Sequence, residues 1–157
     1  MVFQLRLAQD ADAERLVKVI NAAFRRAESY FLDRDRVDGE LVQSLLAKGE
    51  FLLAENEAAL AGCVYVERRG QRAYLGLLSV VPEHQNEGVG SMLMREAEQR
   101  SARAGCRFMD LRIINLRREN HAFYTRRGYV ETGTEPFPPD IETRLPCHFI
   151  NMSKPLR

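Results

Sequence analysis

Apolar and polar positions recur along the chain with periods that predict most of its elements. Val2 to Leu7 (VFQLRL) alternates with a period of two, the mark of a half-buried strand. From Asp10 the period changes. Leu16, Ile20 and Phe24 fall four apart, with Val17, Ala23 and Ala27 beside them. This spacing predicts a helix capped by Asp10, acidic in its first turn at Asp12 and Glu14, and running to about Ala27. A charged, aromatic break from Glu28 to Val37 precedes a second helix. Asp38 is its expected cap, Leu41, Leu45 and Leu46 its inward residues, and Gly49 its C-terminal stop. Three strands follow, Glu50–Glu55, Leu60–Glu67 and Ala73–Val81, with turns at Asn56-Glu57 and Arg69-Gly70-Gln71; together they predict a meander.

A longer helix is expected from Gly88 to about Ala104, with Val89, Met92, Leu93, Ala97 and Ala104 inward and Gly105 closing it. It leads to a strand, Phe108–Ile114. Joining the strand before this helix to the one after it makes a βαβ crossover, so those two strands should be parallel. Asn115 is the expected cap of a short helix, Leu116–Arg127, stopped by Gly128. A strand at Tyr129–Thr134, a loop with four prolines from Glu135 to Cys147 and a last strand, Phe149–Ser153, complete the chain. The order β-α-α-β-β-β-α-β-α-β-β describes an α/β sandwich with a mixed sheet. No repeat or linker interrupts it, so residues 1–157 are expected to be one domain.

Composition narrows the function classes. With 45% hydrophobic residues the chain can build one sizeable core. A net charge of +1 supplies no basic field for nucleic acid. No apolar run approaches the ~20 residues of a membrane helix, and MVFQLRLAQD has no uncharged apolar stretch of the kind a signal peptide carries. Cys63, Cys106 and Cys147 are odd in number and lack zinc spacing, so thiols of a reducing, cytoplasmic compartment are expected, with no metal.

The stretch Leu77–Leu93 (LLSVVPEHQNEGVGSML) carries the chemistry. An apolar strand is stopped by Pro82, a polar turn follows, and Gly88-Val89-Gly90 opens a helix. A glycine turn at a helix N-terminus is suited to an anion: free N–H groups and the positive dipole end point at the ligand, and glycines admit close approach. A nucleotide P-loop would continue Gly-Lys-Ser/Thr, but Ser91 and Met92 follow Gly90. A dinucleotide fingerprint needs a third glycine where Leu93 stands, although Asp110 lies 22 residues after Gly88, near the ribose-binding offset of ~20. The remaining pattern is Gln/Arg-x-x-Gly-x-Gly/Ala, met by Gln85-Asn86-Glu87-Gly88-Val89-Gly90.

With the strand and proline in front, this run resembles the acyl-CoA signature of the GNAT superfamily of N-acetyltransferases. A second run, Asn120 to Tyr129 (NHAFYTRRGY), resembles that family's Ala-x-x-x-Tyr-x-x-x-Gly-Phe pattern. The two motifs cover Leu77 to Tyr129, and the element order extends the likeness to nearly the whole chain.

The resemblance implies a mixed, mostly antiparallel sheet flanked by helices, with a central parallel crossover forming a CoA cleft. It implies an enzyme moving an acetyl group from acetyl-CoA to a primary amine of a small molecule or peptide by direct attack. Backbone of Leu78, Ser79 and Val80 would pair with pantetheine. The turn Gln85, Asn86, Glu87, Gly88, Val89, Gly90 and Ser91 would hold the pyrophosphate, and Tyr124 would be the general acid. Arg117 stands where many members carry a cofactor-contacting asparagine; Asn115, two residues earlier, is the candidate substitute, while Asn120 reads as solvated. The region between the first two helices would shape the acceptor pocket. Tyr30 and Phe31 either line it or anchor a loop, and Glu28 is placed to meet an amine. Glu83 and His84 read as solvated, and no base is assigned. Two other readings stay open: a non-catalytic acyl-CoA-binding module of the same fold, and a nicotinamide-binding enzyme. A homodimer through the last strands is compatible with a sequence that does not mark one.

Overall fold

The structure, a computed structural model, describes residues 2–57 and 59–157. The strands are Gln4–Leu7 (β1), Glu50–Glu55 (β2), Leu60–Arg69 (β3), Arg72–Val80 (β4), Phe108–Ile114 (β5), Val130–Pro136 (β6) and His148–Pro155 (β7). Among the described residues they form one sheet in the order β1-β2-β3-β4-β5-β7-β6, antiparallel throughout except for the parallel pair β4–β5. The helices are Ala13–Glu28 (α1), Gly39–Lys48 (α2), Val89–Arg103 (α3) and Arg118–Arg126 (α4). This is the mixed, helix-flanked architecture expected from the element order.

Strand β2 shows why the layers stack as they do. Its run of apolar residues has no polar face because helices cover both sides. Phe51 and Leu53 pack with Leu16 and Ile20 of α1 and Val42 of α2, whereas Leu52 and Ala54 pack with Val89, Leu93, Met94 and Ala97 of α3. Each of the larger side chains, fully buried, contributes roughly 1.5–3 kcal/mol. A third cluster, Phe31, Leu32, Ile114 and Phe149, joins the break after α1 to the ends of β5 and β7.

Several local expectations are corrected. Strand β1 starts at Gln4 rather than Val2. Asp10 opens a short 3-10 turn and caps nothing; the carboxylate that matters is Asp12. It accepts two hydrogen bonds from Arg6, at 2.9 and 3.0 Å, and one from the Gln9 N–H at 2.8 Å. Arg6 above all holds its pKa down to about 2. Asp38 does cap α2, accepting from the Leu41 N–H at 2.8 Å, but Val42 is the residue buried there and Leu41 is exposed. In α3 it is Met94 that is buried beside Leu93, while Ala104 lies past the helix end. Asn115 does not cap α4. Its side-chain oxygen accepts from the His148 N–H at 2.8 Å and so ties β5 to β7.

Gly49 ends α2 without the left-handed geometry of a helix stop: its φ is −153°. Its reason is space. A Cβ there would sit 2.5 Å from the Val66 carbonyl oxygen and 2.8 Å from the Tyr65 hydroxyl. Gly39, at the start of the same helix, has nothing within 4 Å. Gly49→Ala is therefore expected to lower stability by about 1–3 kcal/mol and Gly39→Ala to leave it unchanged or slightly raised, both read as thermal midpoints. Equal effects of the two substitutions would contradict the packing argument.

Candidate active site

The parallel pair that centres the sheet is short. Arg72 pairs with Phe108, Ala73 with Met109 and Tyr74 with Asp110, and there the pairing stops. Beyond it β5 follows β7 to Ile114 while β4 follows β3 to Val80. A bulge helps part them: two β4 residues, Leu77 and Leu78, face Val64 alone, and Leu77 adopts a left-handed φ of 54°. The Ser79 hydroxyl donates to the Leu77 carbonyl at 3.0 Å and holds the kink. The β5-facing edge of β4 beyond Tyr74 therefore has no strand partner among the described residues. Such an edge can accept an extended ligand as an added strand.

At the end of β4, Pro82–His84 form a 3-10 turn, and Asn86 and Gly88 both take positive φ, 67° and 81°, before α3 begins. The first helical bond runs from the Met92 N–H to the Gly88 carbonyl at 3.0 Å. None of the N–H groups from Asn86 to Ser91 finds an acceptor among the described residues. All of these residues but Glu87 border a cleft of about 720 Å³ that also takes in Phe24 and Arg26 of α1 and Arg117, Phe123, Arg126 and Arg127 at α4. The two glycines serve different ends. Gly88 is needed for its φ, and open space surrounds it; a Cβ on Gly90 would point at Phe123, 3.4 Å away, and Val80, 3.8 Å away. Arg127 stacks on the Phe123 ring at 3.6 Å and donates to the Ser91 hydroxyl, so α4 is tied to the start of α3. Burial, and then its neighbour Arg126, lower the Arg127 pKa.

A smaller cavity of about 250 Å³ adjoins this cleft; Phe24, Leu78 and Asn120 line both. Strands β3, β4 and β5 supply its floor through Tyr65, Glu67, Arg69, Tyr74 and Arg112, and Glu28 and Arg36 close it from the α1 side. Tyr124 lines it as well. That side chain is buried, stacked edge-on with Phe123 at 5.2 Å and Tyr129 at 5.8 Å, and its hydroxyl has no hydrogen-bond partner among the described residues. Burial pushes its pKa well above the ordinary tyrosine value, so it stays protonated at any working pH. Both carboxylates of the cavity are engaged. Glu28 receives Arg117 at 2.9 Å and Arg36 at 3.5 Å; Glu67 receives the Tyr65 hydroxyl at 2.7 Å and Arg69 at 2.6 Å.

The family model described as an acetyltransferase (GNAT) domain matches residues 47–131, more than half of the chain. The chain belongs to the GNAT acetyltransferase family. Its fold is also that of solved GNAT-type structures. Ard1 from Thermoplasma volcanium superposes with a TM-score of 0.84 at 17% identity, over 100% of this chain and 99% of that one. The ribosomal-protein-S18-alanine N-acetyltransferase from Escherichia coli gives 0.76 at 14%, over 99% and 94%. The Salmonella typhimurium protein yncA, solved with its cofactor acetyl-CoA, gives 0.77 at 19%, over 100% and 95%. At these identities the likeness is one of fold. Among curated proteins none matches.

Within this GNAT fold the sequence-derived residues fall into three groups. Leu78, Val80, Gln85, Asn86, Gly88, Val89, Gly90 and Ser91 line the larger cleft together. Ser79 and Glu87 are adjacent in the chain but do not line it: Ser79 is buried on the bulge, and Glu87 accepts from His84 Nδ1 at 2.7 Å. Asn115 lines neither cleft, whereas Asn120, expected to be solvated, lines both. His84 is half-buried, edge-on to Phe3 at 5.3 Å. Tyr30 and Phe31 anchor the loop: Phe31 is fully buried, and the Tyr30 hydroxyl donates to the Leu116 carbonyl at 2.9 Å. Asp110, the acid a nicotinamide site would need, is held by Arg72 through two bonds of 2.7 Å. Arg36, Arg69, Arg112 and Tyr74 escaped the sequence reading, because only the tertiary fold brings a loop and three strands around one cavity.

The residue at the family's asparagine position, Arg117, is an anchor between α4 and α1. It is 12% exposed, and its partner Glu28 5%. Arg117→Ala leaves Glu28 buried with only the long contact to Arg36 and is expected to cost about 3 kcal/mol. Adding Glu28→Gln should restore part of that loss in urea denaturation. Additive losses would mean that the pair does not act as one unit.

Proposed function

We propose that residues 1–157 work as one N-acetyltransferase unit that carries acetyl from acetyl-CoA to an amine. The observation that supports this best is the run of unpaired N–H groups from Asn86 to Ser91 beside an unpaired strand edge. The six amides and the dipole of α3 would hold the pyrophosphate, and the edge at Leu78–Val80 would pair with the pantetheine arm. Side chains of Asn86, Glu87 and Val89 contribute little in this reading. Gln85 donates to the Val80 carbonyl at 3.3 Å and braces the turn against the strand. Acetyl-CoA enters as a substrate and brings the activated thioester.

The acceptor amine enters uncharged from the smaller cavity. Its nitrogen forms a bond to the acetyl carbon as the carbon–sulfur bond breaks, and holding both reactants side by side supplies much of the acceleration. Tyr124 gives its hydroxyl proton to the departing sulfur and recovers one from the acylated nitrogen, so no proton is gained or lost. Burial raises the basicity of a thiolate as it does that of a phenolate, which keeps this transfer feasible despite the raised pKa of Tyr124. With Glu28 and Glu67 both paired to arginines, Tyr124 is the group assigned to move the proton.

Thiol release from acetyl-CoA, with mass spectrometry of a mixed amine, amino-acid and peptide pool, tests the reading. Gly90→Val fills the space in front of Phe123 and Val80 and should weaken acetyl-CoA binding in calorimetry by about a hundredfold. Tyr124→Phe should lower turnover by about 10² and leave acetyl-CoA affinity within about twofold. Binding without any thiol release would point to a module that holds acyl-CoA and does not turn it over. Full turnover by Tyr124→Phe would remove its role.

A further inference from the structure

The charges around the smaller cavity do not balance. Three guanidiniums, Arg36, Arg69 and Arg112, face two carboxylates, Glu28 and Glu67. Glu67 is taken up by Arg69 at 2.6 Å and by the Tyr65 hydroxyl. Glu28 is shared with Arg117, at 2.9 Å, and gives Arg36 a longer contact of 3.5 Å. Arg112 has no ion pair or hydrogen bond among the described residues; its guanidinium carbon lies over the Phe149 ring, 4.0 Å from the centroid. That contact leaves its N–H groups for a ligand.

From this we infer that the acceptor is an amine bearing its own carboxylate, bound by Arg36 and Arg112 in the smaller cavity. The inference rests on the acetyl-transfer reading above and deepens it. A guanidinium matches a carboxylate with two parallel hydrogen bonds, and neither the exposed Arg112 nor the half-buried Arg36 has a carboxylate nearer than 3.5 Å among the described residues. Arg36 is 28% exposed and stacks over Phe24 at 4.8 Å. Burial lowers its pKa; Glu28 and then Tyr74 oppose that, and Arg112 and Arg117 add smaller downward pushes. An anion placed among these groups relieves that repulsion. A polyamine would add to it.

Size argues in the same direction. A cavity of about 250 Å³ falls below the roughly 300–1,000 Å³ that drug-sized ligands occupy, so it suits a molecule on the scale of a free amino acid. Phe24, Leu78 and Asn120, the wall shared with the donor cleft, line the same small cavity as Arg36, Arg112 and Tyr124, so an amino acid held by the arginines lies next to the donor cleft.

The test is steady-state thiol release from acetyl-CoA with free amino acids, their carboxamides, the matching decarboxylated amines and spermidine. Free amino acids should give kcat/KM at least about tenfold above their carboxamides, the scale of losing one charged partner. Arg112→Gln should raise KM for the best amino acid about tenfold with kcat little changed. It should leave carboxamide kinetics and the acetyl-CoA affinity from calorimetry as they were. Arg112→Lys should recover part of the loss, and Arg36→Gln gives a second, independent reading should the Arg112 variant not fold. Equal or better use of carboxamides, decarboxylated amines or spermidine overturns the inference and leaves acetyl transfer standing, as does an unmoved KM in both variants. No calorimetric binding of acetyl-CoA to the unaltered protein overturns both readings together.

Discussion

Two parallel strands that stay paired for only three residues govern this molecule. Were β4 and β5 bonded along their full length, the centre of the sheet would be closed, and no strand edge there would be left to meet a ligand. Their separation is stabilised from both sides: β5 is fully paired with β7, and β4 is bent toward β3 by the bulge at Leu77 and Leu78. Leucine is an uncommon choice for positive φ. Its side chain packs in the cluster under α1 and α2, and the buried Ser79 hydroxyl closes the bend. The strain of the bulge is therefore offset by apolar burial on one side and a hydrogen bond on the other.

The cleft this creates has two halves built from different materials. Toward α3 the polar groups are main-chain amides, aligned by a helix start and by two residues in the left-handed region. Toward α1 they are side chains, and long ones: arginines reaching inward from a loop and two strands. Between the halves stands the pair Glu28–Arg117, which joins an early helix to a late one. With one member 12% and the other 5% exposed, the pair is sheltered from screening by salt. It steadies the wall against which Asn120 and Tyr124 are set.

Reading the chain alone recovers the order of elements, the parallel crossover and the glycine turn, because each has a local signature: a period, a proline stop, a positive-φ glycine. It does less well where the deciding fact is non-local. In the ten-residue helix α2 a shift of one position separates Leu41 from Val42, and apolar residues at both places leave the phase open. Gly49 looks like a helix stop and is in fact required by the Val66 carbonyl, seventeen positions away in the chain. Asn115 looks like a cap and serves a strand instead. Arg112 alternates with Asp110 as any half-exposed strand would. Only the register shows that one lies inside the paired segment of β4 and β5 and the other beyond it.

The amides from Asn86 to Ser91 have a consequence for how such a chain can change over evolutionary time. A peptide N–H is supplied by every residue other than proline, so a half-site made of them places few demands on the genes that encode it. The positive φ at Asn86 and Gly88 and the close approach at Gly90 are what restrict the choice of residue. Folds of this kind can therefore drift to 14–20% identity and still superpose at TM-scores of 0.76 to 0.84. The arginine-lined half is written in side chains, where one nucleotide change alters the chemistry. Diversification should concentrate there.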